Sequence, residues 1–120
     1  MSRIVILGLP DDLAGSLGRV LREQGHTVGL AHSLQEVCHD RPEVAFISGD
    51  IPEFPHYLDS LRASAPDLPL VVATRLPENS TWIDALEAGA KDYCGAPFEP
   101  AQLRWIMDTV CPRVQQRAAA

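Results

Sequence analysis

Two hydroxyl side chains and three carboxylates are the residues of this chain that could do chemistry together. Ser48 and Thr74 each close an apolar run, Asp50 lies two residues after Ser48, and Asp11 and Asp12 lie just beyond the first apolar run. Carboxylates that meet at one crevice can hold a divalent cation, and phosphoryl transfer needs such a cation beside an oxygen nucleophile. Serine is a weak nucleophile without an adjacent base, and the pattern places no histidine beside Ser48. In the simpler interpretation, Asp11 and Asp12 favour a helix start and Asp50 is a solvated loop residue.

The other reactive side chains form no recognisable site. The histidine spacing matches neither a catalytic triad nor a metal site, and we expect surface positions for all four: His26, His32, His39 and His56. Gly8, Gly15 and Gly18 do not make a dinucleotide-binding turn, because that turn needs Gly-x-Gly-x-x-Gly and Pro10 occupies its second glycine. A nucleotide-binding or enzymatic role is therefore disfavoured.

The composition is that of one acidic globular domain. The chain has 120 residues, 46% of them hydrophobic, and a formal net charge of −6. This length allows a substantial core, and the negative charge argues against unaided nucleic-acid binding. No apolar run approaches the roughly 20 residues of a membrane span, and the first strand begins too early for a signal peptide. A reducing cytoplasm is favoured by three widely spaced cysteines, Cys38, Cys94 and Cys111.

Apolar runs alternate with helical patterns five times along the chain. The runs predict strands at Ile4–Leu9, Thr27–Ala31, Val44–Ile47, Leu70–Thr74 and Lys91–Cys94. Apolar residues at helical spacing follow each strand. Terminal signals mark these helices: Ser33 and Asn79 or Ser80 as caps, Gly25 and Gly89 as stops, and Pro100 in the first turn of the last helix.

Strands that are apolar throughout and separated by helices imply a parallel sheet covered on both faces. The predicted fold class is α/β, a flavodoxin-like (βα)5 doubly wound parallel five-stranded sheet with strand order 2-1-3-4-5. We expect a single domain over residues 1–111, followed by a frayed tail or the start of a linker over 112–120. Ligands on this fold bind at the carboxyl ends of the central strands. That rule predicts a common crevice for Gly8, Leu9, Ser48, Thr74 and Ala96.

Short motifs fix the register of these elements. Pro52 lies four residues after Ser48, Thr74 ends the fourth run, and residues 88–98 are Ala-Gly-Ala-Lys-Asp-Tyr-Cys-Gly-Ala-Pro-Phe. Over essentially the whole chain, this set closely resembles the receiver domain of two-component response regulators. The resemblance implies a cytoplasmic signalling module and not an enzyme.

The resemblance also implies a phosphorylation site, from which this sequence departs at every charged position. In the family, two acids that end strand one hold Mg²⁺ together with an acceptor aspartate, and a lysine follows strand five. Those positions fall on Gly8, Leu9, Ser48 and Ala96, and only the strand-four hydroxyl, Thr74, is retained. Joint loss of three carboxylates and one ammonium leaves no like charges clustered in a semi-buried pocket. We therefore predict a pseudo-receiver that needs no cofactor and acts through phosphorylation-independent protein–protein interaction.

A displaced acidic site is the alternative hypothesis. Asp50, with Asp11 and Asp12, would bind Mg²⁺ and accept the phosphoryl group, although the missing lysine weakens this idea. Arg75 stands where the family usually has a small residue. It would either lie across the emptied pocket, binding an anion or a nearby acid such as Asp50, or point to solvent.

A candidate interaction face follows from the family's relay, which runs from the strand-four hydroxyl through a strand-five aromatic to helix four, strand five and helix five. Tyr93 matches that aromatic. We expect helix four to bury Ile83, which would turn Trp82 and Leu86 toward Tyr93, with Ile106 bordering the same face. Exposed aromatic and aliphatic residues mark interfaces, so a protein partner, an output domain or a second copy is predicted here. Alternatively, Trp82 folds onto the protein's own surface. Neither nucleic acid nor membrane is an expected partner.

Overall fold

The computed structural model describes residues 2–51, 54–75 and 79–110, without the side chains of residues 79–82. Its strands are β1 (Arg3–Leu7), β2 (Thr27–Ala31), β3 (Val44–Ser48), β4 (Leu70–Thr74) and β5 (Asp92–Gly95). Its helices are α1 (Asp11–Glu23), α2 (Leu34–Asp40), α3 (Phe54–Ser64), α4 (Asn79–Glu87) and α5 (Pro100–Val110). The expected tail at 112–120 lies outside the described residues, as do Pro52 and Cys111.

All five strands form one parallel sheet in the order β2-β1-β3-β4-β5, which confirms the predicted fold class. The central strands are rich in apolar and β-branched residues, and every residue of β3 and β4 is buried. Such strands suit a sheet that is covered on both faces. The register pairs Leu7 with Ile47 and Ser48 with Ala73, so β1, β3 and β4 end at the same edge.

Helices cover both faces of the sheet and form two hydrophobic clusters. One cluster packs α1 and α5 against sheet residues such as Ile6 and Phe46. The other packs α2, α3 and Ala85 of α4 against residues such as Val5 and Ile47. Adjacent strand residues enter opposite clusters because successive side chains of a strand point to opposite faces. Apolar burial on both faces is the dominant force that holds the strand ends in place.

Local signals set the start of α2 and the ends of α1 and α4 where the sequence predicted them. Asn79 and Ser80, which were predicted as alternative caps, are instead the first two residues of α4. The Ser33 hydroxyl accepts a hydrogen bond from the Glu36 amide at 3.2 Å and caps the start of α2. Gly25 and Gly89 follow α1 and α4 with φ angles of +93° and +103°. Glycine adopts this left-handed conformation without the steric cost that other residues meet there.

β2 and β4 have the predicted bounds, whereas ends of the other three strands differ from the prediction by one or two residues. β3 extends one residue further, to Ser48. β1 stops at Leu7 and not at Leu9, because Gly8 has a φ of +83° and leaves the extended conformation. β5 runs one residue later than predicted, since the Ala96 amide still donates to the Thr74 carbonyl at 2.9 Å. Among the described residues, no helix has both the length and the apolar character needed to cross a membrane.

Candidate functional site

The carboxyl ends of β1, β3, β4 and β5 meet at one edge of the sheet, as the topology predicted. Ser48 and Thr74 end their strands there, and each is only 1% exposed. A Cβ atom on Gly8 would lie 3.5 Å from the Ser48 Cβ, and Ala96 is hydrogen-bonded to Thr74 through the backbone. The structure therefore brings Gly8, Ser48, Thr74 and Ala96 together around one crevice.

The crevice carries apolar groups where the family's pattern places charged ones. A Cβ atom on Gly8 would lie only 3.3 Å from the Ile51 Cδ1, so the Ile51 side chain adjoins the space that an acidic side chain would need. Leu9 and Ala96 pack against the hydrophobic cluster of α1 and α5. None of these groups supplies a carboxylate or an ammonium. Ile51 was not singled out from the sequence, because only the folded loop brings it against Gly8.

Asp50 is the carboxylate that reaches this crevice, and both of its oxygens are engaged. The Thr74 hydroxyl donates to Oδ1, and the Arg75 amide donates to Oδ2 at 2.9 Å. The Asp50 amide in turn donates to the Ser48 hydroxyl at 3.2 Å. Asp50 thus links the ends of β3 and β4. It is not only the solvated loop residue of the simpler interpretation, although the residue itself remains exposed.

The Arg75 side chain binds a nearby acid, as one of the two alternatives predicted, but that acid is Asp12 and not Asp50. The Arg75 amide binds Asp50, while its guanidinium Nη2 lies 3.0 Å from each carboxylate oxygen of Asp12. Both side chains are half-exposed or more. The hydrogen bond from Arg75 lowers the pKa of Asp12 below its ordinary value. The negative charge of Asp12 is therefore compensated by the positive charge of Arg75.

The displaced acidic residues bind different groups of the protein. Asp12 is paired with the Arg75 guanidinium, Asp50 binds Thr74, and Asp11 lines a cavity between the ends of β1 and β2 that adjoins the crevice at Gly8. Within the three described segments, no group of three His, Cys, Asp or Glu side chains could hold a metal ion. Mg²⁺ prefers several oxygen ligands in near-octahedral geometry. The residues of this crevice do not fit that requirement.

The candidate interaction face differs from the prediction in two positions. Ile106 is 1% exposed, so its assignment to this face is wrong. It belongs to the helical stripe that α5 buries, together with Leu103, Met107 and Val110. Ile83 was expected to be buried but is 49% exposed, because Ala85 is the residue of α4 that packs on the sheet. The side chain of Trp82 lies outside the part of the chain that the structure describes.

The remaining residues of the face define what we call the helix-4 surface: Ile83, Leu86 and Tyr93. Ile83 and Leu86 are exposed large aliphatic residues on α4. Tyr93 is half-buried on β5 and packs against the cluster that contains Ala85. Exposed aliphatic groups near a partly buried aromatic are typical of protein contacts.

Fold and crevice together define a class: α/β domains of the flavodoxin-like order whose active edge lies at the ends of β1, β3 and β4. No protein-family model matches the sequence. The response regulator MprA of Mycobacterium bovis is 32% identical over 123 residues, which cover 96% of this chain and 54% of that protein. The chain spans about half the length of the curated relatives it matches.

Solved structures agree with this similarity. A two-component response regulator from Clostridium difficile superposes with a TM-score of 0.78 at 20% identity, covering 95% of this chain and 98% of that one. The beryllofluoride-activated NtrC4 receiver domain, a dimer in solution, superposes with a TM-score of 0.77 at 19% identity over 92% and 97% of the two chains. This chain belongs to the receiver-domain family of two-component response regulators.

Proposed function

We propose that this chain is a pseudo-receiver, a signalling domain that acts through protein contacts and does not accept a phosphoryl group at Ser48. The observation that carries the proposal is the Asp50 carboxylate, which takes the Thr74 hydroxyl and the Arg75 amide. Phosphoryl transfer requires preorganised donors for the oxygens of the transferred group. Here a side chain of the protein already uses two such donors, and its negative charge also repels an anionic phosphoryl donor.

Asp50 also holds Thr74, the residue that in the family relays the state of the phosphorylation pocket to helix four. Thr74 is 1% exposed, so its hydroxyl has little access to water as an alternative partner. If the relay follows the family's pattern, a fixed Thr74 holds the helix-4 surface in a single state. The domain would then present this surface constitutively, without a phosphorylation step.

The output that we propose is a contact at the helix-4 surface. Ile83 and Leu86 offer aliphatic area there, and their burial against a partner would be favourable. The partner is a second copy of the chain or the output domain of a longer regulator. The NtrC4 receiver dimer supports the first. The chain's cysteine usage and acidic charge favour a cytoplasmic protein partner over nucleic acid.

An amide NMR titration with Mg²⁺, followed by beryllofluoride as a phosphoryl mimic, tests whether the crevice binds a cation and a phosphoryl group. We expect no saturable shifts around Ser48 and Thr74. Saturable shifts that are lost in Asp50→Asn, but persist in Asp59→Asn, would establish the displaced acidic site instead. Asp59 is a suitable control because it is an exposed aspartate on α3.

Sedimentation velocity over a concentration series tests the contact. Joint Ile83→Glu and Leu86→Glu substitution is expected to abolish self-association or binding to the output domain, because it places charges in the contact. Leu30→Glu is the control, since Leu30 is an exposed leucine on β2, at the other edge of the sheet. Equal loss of association in both variants, or no loss in either, would contradict the assignment of the surface.

A further inference from the structure

A cavity of about 640 Å³ lies beside the crevice, between the ends of β1 and β2 and the starts of α1 and α2. Its volume falls within the range of about 300–1,000 Å³ that is typical of small-molecule sites. It also lies at the carboxyl edge of the sheet, where ligands of this fold class bind. The Asp50 hydrogen bonds do not account for this cavity, because Asp50 and Thr74 do not line it.

The walls of the cavity are largely apolar. Leu9, Leu34, Ile51 and Tyr57 line it, and each of them is half-buried. Leu30 lines it as well and is 51% exposed, which makes it the most exposed leucine among the described residues. A ligand that covered these side chains would remove apolar surface from water. The apolar Leu9 contributes to this wall at a position where the family's pattern has an acid.

The charged groups around the cavity favour a ligand of one charge over a ligand of the opposite charge. Asp11 lines it, and no lysine or arginine does so among the described residues. Glu36 lies beside the lining, where its carboxylate accepts a hydrogen bond from the amide of the lining residue His32 at 2.8 Å. One carboxylate at the lining and a second beside it disfavour phosphates and other anions, and they favour an amine.

We propose that this cavity binds a small apolar amine, with its hydrocarbon part against Leu30 and Ile51 and its ammonium group toward Asp11. This site would give the domain a chemical input that does not require phosphorylation. Ile51 lines the cavity and follows Asp50 in the loop between β3 and α3. An occupant would therefore contact the loop whose Asp50 is hydrogen-bonded to the end of β4.

Three indole probes with the same ring and different charge test the proposal: tryptamine, tryptophol and indole-3-acetate. Each is titrated into the ¹⁵N-labelled chain and followed by amide NMR. We expect saturable shifts around Gly8, Leu30 and Ile51, with tryptamine binding about two- to fivefold more tightly than tryptophol, since an exposed ion pair contributes modestly. Indole-3-acetate should bind most weakly.

Two variants and one control locate the site. Leu30→Gln should weaken tryptamine binding about fivefold, which corresponds to the loss of part of one leucine contact. Asp11→Asn should make tryptamine and tryptophol bind equally, whereas Trp105→Gln should leave the binding of both probes unchanged, since Trp105 is an exposed residue of α5 that does not line the cavity. The proposal is overturned if no probe gives saturable shifts, if indole-3-acetate binds most tightly, or if Leu30→Gln and Trp105→Gln act alike. The order of the three probes is measured on the unmodified chain and does not depend on any variant folding.

Discussion

The hydrogen bond between Asp50 and Thr74 should be measurable as a coupling free energy. Asp50→Ala removes the acceptor and leaves the Thr74 hydroxyl, which is 1% exposed, without that partner. Thr74→Val removes the donor while keeping the side-chain shape. The Arg75 amide contributes less, because it lies at an exposed position where water can replace Asp50.

The expected magnitude follows from this burial. A hydrogen bond to a charged group contributes about 1.5–3 kcal/mol, and an unsatisfied buried hydroxyl costs about 1–3 kcal/mol. Because Asp50 is exposed and water can reach its site, we expect Asp50→Ala to lower the free energy of unfolding by about 1–2 kcal/mol. Thr74→Val should cost about 1 kcal/mol, and the double variant should cost less than the sum, with a coupling of about 1 kcal/mol.

Urea unfolding followed by far-ultraviolet circular dichroism measures these changes. With a typical dependence of about 2 kcal/mol per molar urea, the Asp50→Ala midpoint should fall by about 0.5–1 M. An Asp59→Ala and Thr74→Val pair is the control, and its effects should add. A coupling below about 0.3 kcal/mol for the Asp50 pair would refute the idea that Asp50 holds Thr74.

Three further predictions concern conformation, burial and charge. Gly8→Ala should destabilise the fold by about 1–2 kcal/mol in urea unfolding, because its φ is +83°. Gly15→Ala, inside α1 with open space around it, should stabilise the fold by about 0.5–1 kcal/mol, and a loss at both positions would contradict this account. Burial raises the pKa of Cys94 to about 12, so its thiol should resist iodoacetamide in the native state and react on unfolding, as followed by peptide mass mapping. Since that pKa is raised, the stabilising contribution of the protonated thiol is present below the ordinary value of 9.0 and is lost as the pH rises. The lowered pKa of Asp12 has the opposite sign: its pairing with Arg75 contributes above the ordinary value of 3.8 and is lost as the pH falls through the lowered value. The difference in unfolding midpoint between the wild type and Arg75→Gln should therefore shrink in acid and in high salt, and a difference that is constant with pH would exclude the pairing.

The sheet was predictable because its physical cause is local. The runs Thr27–Ala31 and Leu70–Thr74 have the predicted bounds. For Leu70–Thr74 the reason is burial, since an apolar segment flanked by turn signals has few other ways to be buried. The end of β1 was not predictable in the same way. The positive φ of Gly8 coincides with the approach of Ile51 from a loop about forty residues away, and neither local spacing nor propensity encodes that contact.

The rotation of α4 shows a second limit. Trp82, Ile83 and Leu86 place large apolar residues on more than one side of this helix, so the pattern alone does not determine which side packs. The structure buries Ala85, a small residue that lets the helix approach the sheet, and exposes Ile83. For α5 the opposite error arose. Ile106 fits the buried stripe by its spacing, and only the analogy with the family placed it on the interaction face.

The charge balance of the crevice is consistent with the proposed loss of phosphorylation. The sequence predicted an emptied pocket from Gly8, Ser48 and Ala96, but it did not predict what the neighbouring acids do. In the structure, the charge of Asp12 is compensated by Arg75, and the Asp50 carboxylate accepts hydrogen bonds from two neutral donors at the end of β4. Asp12 and Asp50 therefore both have partners within the chain, and a cation at this edge would compete with those contacts for the carboxylate oxygens.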